Sequence, residues 1–171
     1  MSADDPSERL SHVAPDGTAR MVDVGEKPDT ARTARATGSI RMSAEALDAI
    51  VRNTVKKGDV LGVARVAGIL AAKRTSELIP LCHPLPLHHV GVTLVLDPAL
   101  PGVRVEVEAR TTGKTGVEME ALTGAAVALL TVYDMAKSLD KSMVVSDISL
   151  AAKAGGRGGE YARLDGTTVA P

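Results

Sequence analysis

The chain reads as an α+β domain in which an antiparallel sheet packs against two long helices. Three observations lead there. Val90, Val92, Leu94 and Leu96 alternate with other residues, as do Val103, Val105, Val107 and Ala109, so each set takes one face of a strand. Asp97-Pro98-Ala99-Leu100-Pro101-Gly102 between them has the make-up of a hairpin connection. Before and after the hairpin lie runs rich in Ala, Leu and Val at helical spacing. Helices on one face of an antiparallel sheet is the natural layering for such a set.

In chain order, residues 1–18 are polar, contain Pro and Gly, and read as an N-terminal tail. One domain then spans 19–158, and 159–171 form a C-terminal tail. Arg20-Met21-Val22-Asp23-Val24 alternates like a short strand. Thr33–Met42 is extended, with Gly38 marking a bulge or a close approach. Ser43 caps a helix through Ala46, Leu47, Ile50 and Val51, which Lys57-Gly58 closes. Asp59 opens a longer helix running to about Thr75. Gly62 and Gly68 weaken it by about 1 kcal/mol each, which suits a backbone packed close by. Val117 to about Leu139 is the second long helix, and Met143–Leu150 returns as a strand. The second strand's other face carries Arg104, Glu106, Glu108 and Arg110, and is solvated or turned toward another subunit.

The composition narrows the function. The 171 residues suit one domain and include no Phe, no Trp and two Tyr. An apolar fraction built of small aliphatic side chains packs closely but offers few large anchors, so subunit contacts are expected to supply part of the stability. A net charge of −1 and a pI near 6.4 give no basic field, and stacking platforms are missing. Nucleic acid is therefore not an expected partner. A single Cys forms no internal disulfide and fits a reducing compartment. The acidic, polar start shows no secretory signal. Leu78–Leu96 lacks charge over 19 residues, but its three Pro, three His and alternation argue against a membrane span. A soluble, cytoplasmic protein without a membrane partner is expected.

Chemistry concentrates in Leu78-Ile79-Pro80-Leu81-Cys82-His83-Pro84-Leu85-Pro86-Leu87-His88-His89-Val90. Pro cannot extend a helix or donate into a central strand, so this run is an irregular, stiff segment presenting Cys82 and His83. It is either a core-crossing loop or the wall of a site. Thr112-Gly113-Lys114-Thr115-Gly116 has the look of a phosphate loop. Glu108 stands where that pattern needs Gly, so a plain turn is expected, with Lys114 still able to meet an anion. Glu118 and Glu120 open the second long helix. They compensate its dipole and point about 200° apart, so at most one is expected to face a given pocket. Asp134 and Lys137 lie i, i+3 and form either a surface ion pair or a carboxylate–ammonium couple for proton transfer. Lys56, Lys57, Lys73, Arg74, Lys153 and Arg157 would suit a multiply charged phosphate if the fold clusters them. His88 and His89 point to opposite faces of a strand, and the His and Cys spacings match no metal motif, so no metal is expected.

Taken together, Met21–Val24, Lys57-Gly58-Asp59-Val60, Ala67–Thr75, Leu78–Leu85, Thr112–Thr123 and Tyr133-Asp134-Met135-Ala136-Lys137 closely resemble the MoaC family. The resemblance runs from about Arg20 to Gly158. It implies a ferredoxin-like subunit, a homohexamer built as a trimer of dimers, and sites at subunit interfaces. It implies a lyase of molybdenum cofactor biosynthesis, acting after the radical S-adenosylmethionine enzyme MoaA. Such an enzyme rearranges the cyclised GTP derivative 3′,8-cyclo-7,8-dihydro-GTP to cyclic pyranopterin monophosphate and releases pyrophosphate. Residue by residue, it implies Asp134, Lys137 and Lys57 as catalytic. It implies Leu81, Cys82, His83, Glu118, Met119, Glu120 and Lys153 as substrate-binding. A lysine among other cations should have a lowered pKa and donate protons more readily. No cofactor is implied, with Mg²⁺ beside the triphosphate left open. The alternative is a non-catalytic oligomer that keeps the fold to bind a phosphate ligand.

Overall fold

The computed structural model describes residues 17–156 and 158–163; the expectations for 1–16, Arg157 and 164–171 lie outside the described residues. The elements are β1 (Thr30–Arg41), α1 (Ala44–Val51), α2 (Val60–Lys73), α3 (Thr75–Leu78), β2 (His89–Asp97), β3 (Gly102–Gly113), α4 (Glu118–Ala136), β4 (Val144–Ala154) and β5 (Tyr161–Ala162). Every strand pairing is antiparallel, in the order β2-β3-β1-β4-β5. This is the expected α+β layering, with α2 and α4 side by side on one face of the sheet.

Local chemistry accounts for the boundaries. The Ser43 side chain accepts from the Ala46 N–H and the Asp59 side chain from the Gly62 N–H, so both first long runs open where a cap was read. The first helix ends earlier than Lys57-Gly58. Arg52 closes it, Asn53 turns the chain at φ 52°, and Val55 is then buried. Arg20–Val24 is not a strand. The Asp23 carboxylate accepts from the Gly25 N–H at 2.8 Å, so the run ends in a turn before β1. β4 reaches Ala154, beyond the expected Leu150, and Tyr161–Ala162 pair with Ala152 and Lys153 inside the segment read as tail.

The core carries the composition directly. Ile40, Leu129, Val103, Val105, Val107, Val117 and Val132 are its largest fully buried side chains. With no large ring to fill space, the layers close up instead. A Cβ on Gly68 of α2 would lie 2.9 Å from the Gly124 carbonyl oxygen of α4 and 3.1 Å from Ala128. The glycine therefore sets the helix–helix distance, as its cost in propensity suggested. Gly62, by contrast, faces its own cap, Asp59. The β1–β4 register shifts between Thr37 and Ser39, around Gly38. β3 turns Val103, Val105, Val107 and Ala109 to the core and its charged residues outward, where Arg104 pairs with Asp97 at 2.6 Å.

α4 has the length and apolarity of a membrane span, yet just over half of it is buried inside the domain as the core helix. Its two ends are where the fold places the residues of interest.

Candidate active site

The first group lies at the C-terminal end of α4. Asp134 and Lys137 sit one turn apart, and the Lys137 ammonium is 2.8 Å from Asp134 Oδ1. Lys57 comes from the turn before α2, where Gly58 at φ 93° closes the chain. Its Nζ donates to Asp134 Oδ2 at 2.7 Å and to the Asp134 backbone oxygen at 2.8 Å. Two ammonium groups thus clamp one carboxylate, one at each oxygen. Hydrogen bonds from Lys137 and then Lys57 hold Asp134 down to about 2, so it is ionised at any physiological pH. Lys137 moves up rather than down, chiefly through its hydrogen bond to Asp134. That reverses the sequence expectation of a depressed lysine. The nearest charge is an anion, and it favours the protonated ammonium.

The second group surrounds a cavity of about 370 Å³ off the N-terminal end of α4. Leu81, Cys82 and His83 of the proline-rich segment form one wall, and Glu118, Met119 and Glu120 form another. The segment is therefore a cavity wall as well as a connector. Glu118 and Glu120 both border the cavity, contrary to the expectation from their angular separation. The cavity lies off the open end of the helix rather than against its side, so residues around its circumference reach it.

His83 Nε2 lies 2.8 Å from the Val22 carbonyl oxygen. A carbonyl only accepts, so Nε2 carries a proton and Nδ1 is the nitrogen left for a ligand. The Lys153 ammonium sits 3.1 Å from Glu118 Oε1 and ties β4 to the helix start. Glu120 has no such cation and is only 4% exposed. Burial pushes its carboxyl up to about 7; its own backbone N–H opposes this and the Glu118 charge adds to it. Burial, and then the charge of Glu120, raise the Cys82 thiol above its ordinary value. Two neighbouring carboxyls thus have opposed tasks: one is ion-paired, the other is poised to hold a proton.

The two groups do not meet within one chain. Glu118 and Asp134 stand sixteen residues apart on one helix, roughly 24 Å at 1.5 Å per residue. Sequence reasoning missed Val22, Val24, Lys27, Leu85 and Thr115, which also line the cavity. The first of these meets the proline-rich wall through its carbonyl oxygen, at His83. Lys114, in the loop that failed the phosphate-loop pattern, donates its ammonium to the Gly25 carbonyl. His88 and His89 are exposed, and His89 lies 3.8 Å from Glu108, away from the cavity. Among the described residues no cluster of three or more His, Cys, Asp or Glu could hold a metal ion.

Comparison with known proteins gives a consistent picture. The family model described as the MoaC family matches residues 21–156. A protein of Cereibacter sphaeroides is 56% identical over 152 residues, covering 89% of this chain and 96% of the relative. One of Oleidesulfovibrio alaskensis is 56% identical over 91% of this chain and 98% of its own length. One of Methylobacterium nodulans is 58% identical over 89% and 95%. All three carry the name cyclic pyranopterin monophosphate synthase.

Proposed function

The chain belongs to the MoaC family, and from that membership we propose that it is a cyclic pyranopterin monophosphate synthase of molybdenum cofactor biosynthesis. Its substrate is the cyclised GTP derivative 3′,8-cyclo-7,8-dihydro-GTP, supplied by a radical S-adenosylmethionine enzyme of the MoaA kind. It acts as a lyase, releasing pyrophosphate as the pterin forms.

The observation that carries the mechanism is the clamp on Asp134. An ionised carboxylate between two ammonium groups fixes two proton donors within about 3 Å of it. Ring opening and pterin closure each need a proton taken and a proton given. Lys57 and Lys137 meet phosphate charge and give protons, and Asp134, at a pKa of about 2, holds the two ammonium groups in place and accepts a proton only once substrate has drawn them away. In the cavity, His83 presents Nδ1, Leu81, Cys82 and Met119 shape the wall, and the Glu118–Lys153 pair fixes its rim. Glu120, protonated in part near neutral pH, exchanges a proton with the base of the substrate.

Since one chain keeps the two groups about 24 Å apart, the site is composite: the clamp of one copy completes the cavity of another. A homohexamer built as a trimer of dimers provides such pairs, and the exposed Val63, Val66 and Leu70 on α2 support burial between copies. No resident cofactor is required; any Mg²⁺ arrives with the triphosphate. The free Cys82 and the packing of α4 inside the domain support a cytoplasmic location.

The test is turnover of purified protein with 3′,8-cyclo-7,8-dihydro-GTP, following pyrophosphate and pterin. Wild-type protein should form both, and Asp134→Asn should fold and assemble but lose about 10²-fold or more of the rate. Tight binding without product in the wild type would instead establish the non-catalytic phosphate-ligand oligomer.

A further inference from the structure

The clamp joins two separate pieces of the chain. Asp134 belongs to α4 and Lys137 closes that helix, whereas Lys57 rides on a unit that runs from Ser43 through α1 to Gly58. Backbone bonds hold this unit together. Ser43 caps α1, the Thr54 N–H donates to the Ala49 carbonyl oxygen and the Gly58 N–H to that of Val55, both at 2.9 Å. Leu47, Ile50 and Val55 anchor it in the core.

A second bridge joins the same two pieces. In a capping box, an acidic or amide side chain at the third helical position reaches back to the N–H of the cap residue. That position here is Ala46, which has no acceptor to offer. The loop after α4 supplies one instead: the Asp140 carboxylate accepts from the Ser43 N–H at 2.7 Å, across 97 positions of sequence. Its other oxygen accepts from the Ser142 hydroxyl at 2.6 Å and the Ser142 N–H at 2.7 Å. The Ser142 hydroxyl, and then the Ser43 N–H, hold the Asp140 carboxyl below the usual carboxylate range. The Tyr133 hydroxyl, beside Asp134 on α4, donates to the Lys141 carbonyl oxygen at 3.1 Å and pins the same loop back to its helix.

We propose that Asp140 is a positioning residue for the clamp: its bond to Ser43 keeps the α1 unit registered on α4, so that Lys57 stays within reach of Asp134 when substrate draws its ammonium away. Turnover opens the Lys57–Asp134 bridge. Asp140 bonds to N–H and hydroxyl groups rather than to an ammonium, so its bridge persists while the ion pair is open. The part in turnover rests on the proposed function; the brace stands on its hydrogen bonds.

The test pairs turnover with lysine labelling in the assembled full-length protein. In Asp140→Ala, kcat with the cyclised nucleotide should fall about tenfold or more. Acetylation of Lys57 by acetic anhydride, read by mass spectrometry against the exposed Lys73, should quicken several-fold, because an ammonium released from its carboxylate gives up its proton more readily. Asp140→Asn should restore both, since its amide oxygen still accepts from the Ser43 N–H and its amide N–H meets the Ser142 hydroxyl. Should Asp140→Ala disturb folding, Ser43→Pro and Ser43→Ala decide. Both lose the side-chain cap, but only proline loses the N–H, and Ser43 at φ −65° already has the backbone angle of proline. Ser43→Pro should therefore quicken Lys57 labelling beyond Ser43→Ala. Lys57 labelling unmoved in Asp140→Ala and Ser43→Pro overturns the brace. Undiminished kcat in Asp140→Ala overturns its part in turnover. Faster Lys57 labelling in a protein whose wild type never turns over the nucleotide overturns the proposed activity and leaves the brace standing.

Discussion

Glu120 and Asp134 are both carboxylates on α4, and their surroundings drive them in opposite directions. Asp134 meets two ammonium groups in the open and stays ionised. Glu120 is buried without a cation, and its folded pKa of about 7 lies above the 4.5 of the free side chain. A raised folded pKa means stability that is full below about 4.5 and lost as pH rises through about 7. The loss is on the order of 3 kcal/mol, from about 1.4 kcal/mol per pKa unit. Glu120→Gln has no proton to lose, so its stability relative to wild type should rise between pH 5 and pH 8. Denaturant melts at those two values read this directly, and parallel pH dependence in the two proteins would show that Glu120 does not titrate there. The Asp134 shift has the opposite sign. Its stabilising contribution is present above the unfolded value of about 3.8 and fades only as pH falls through about 2, outside the working range.

The helix pair depends on two glycines as much as on its apolar residues. Gly68 and Gly124 let α2 and α4 touch along their backbones, and Val107 packs against Gly124 from the sheet below. Gly68→Leu must push the helices apart or force side chains off their rotamers, at a cost of about 1–3 kcal/mol. Thermal unfolding should show a lower Tm, and an unchanged Tm would mean that the helix spacing is slack. These elements were largely legible in the sequence. Ser43 and Asp59 cap helices because a short acceptor precedes each apolar run, and the β2–β3 hairpin follows from alternation around Asp97–Gly102. What was not legible depended on register or on chain reversal. Arg32 meets Gly113 only because Thr30 pairs with Gly113 across β1 and β3, and no local pattern encodes that partner. Likewise Val22 meets His83 from 61 residues away in the chain, and no local pattern encodes that contact.

At the scale of the whole molecule, the chain separates a charged clamp from the cavities it would serve. α4 acts as a rigid spacer, with Asp134 at one end and Glu118 to Glu120 at the other. The resemblance names residues at both ends of the helix but not their separation, because a linear motif does not state which copy supplies which side chain. A core without Phe or Trp and an apolar stripe left outside on α2 agree with a protein completed by its neighbours. The most direct measurement mixes two inactive variants, Asp134→Asn and His83→Ala, refolded or co-expressed as one assembly. Each is expected to be inactive alone, since every site then lacks one of its two parts. In a random one-to-one mixture about a quarter of the composite sites join an intact clamp to an intact cavity, so about a quarter of wild-type turnover should return. Mixed assemblies that form yet remain as inactive as their parents would contradict a site shared between copies.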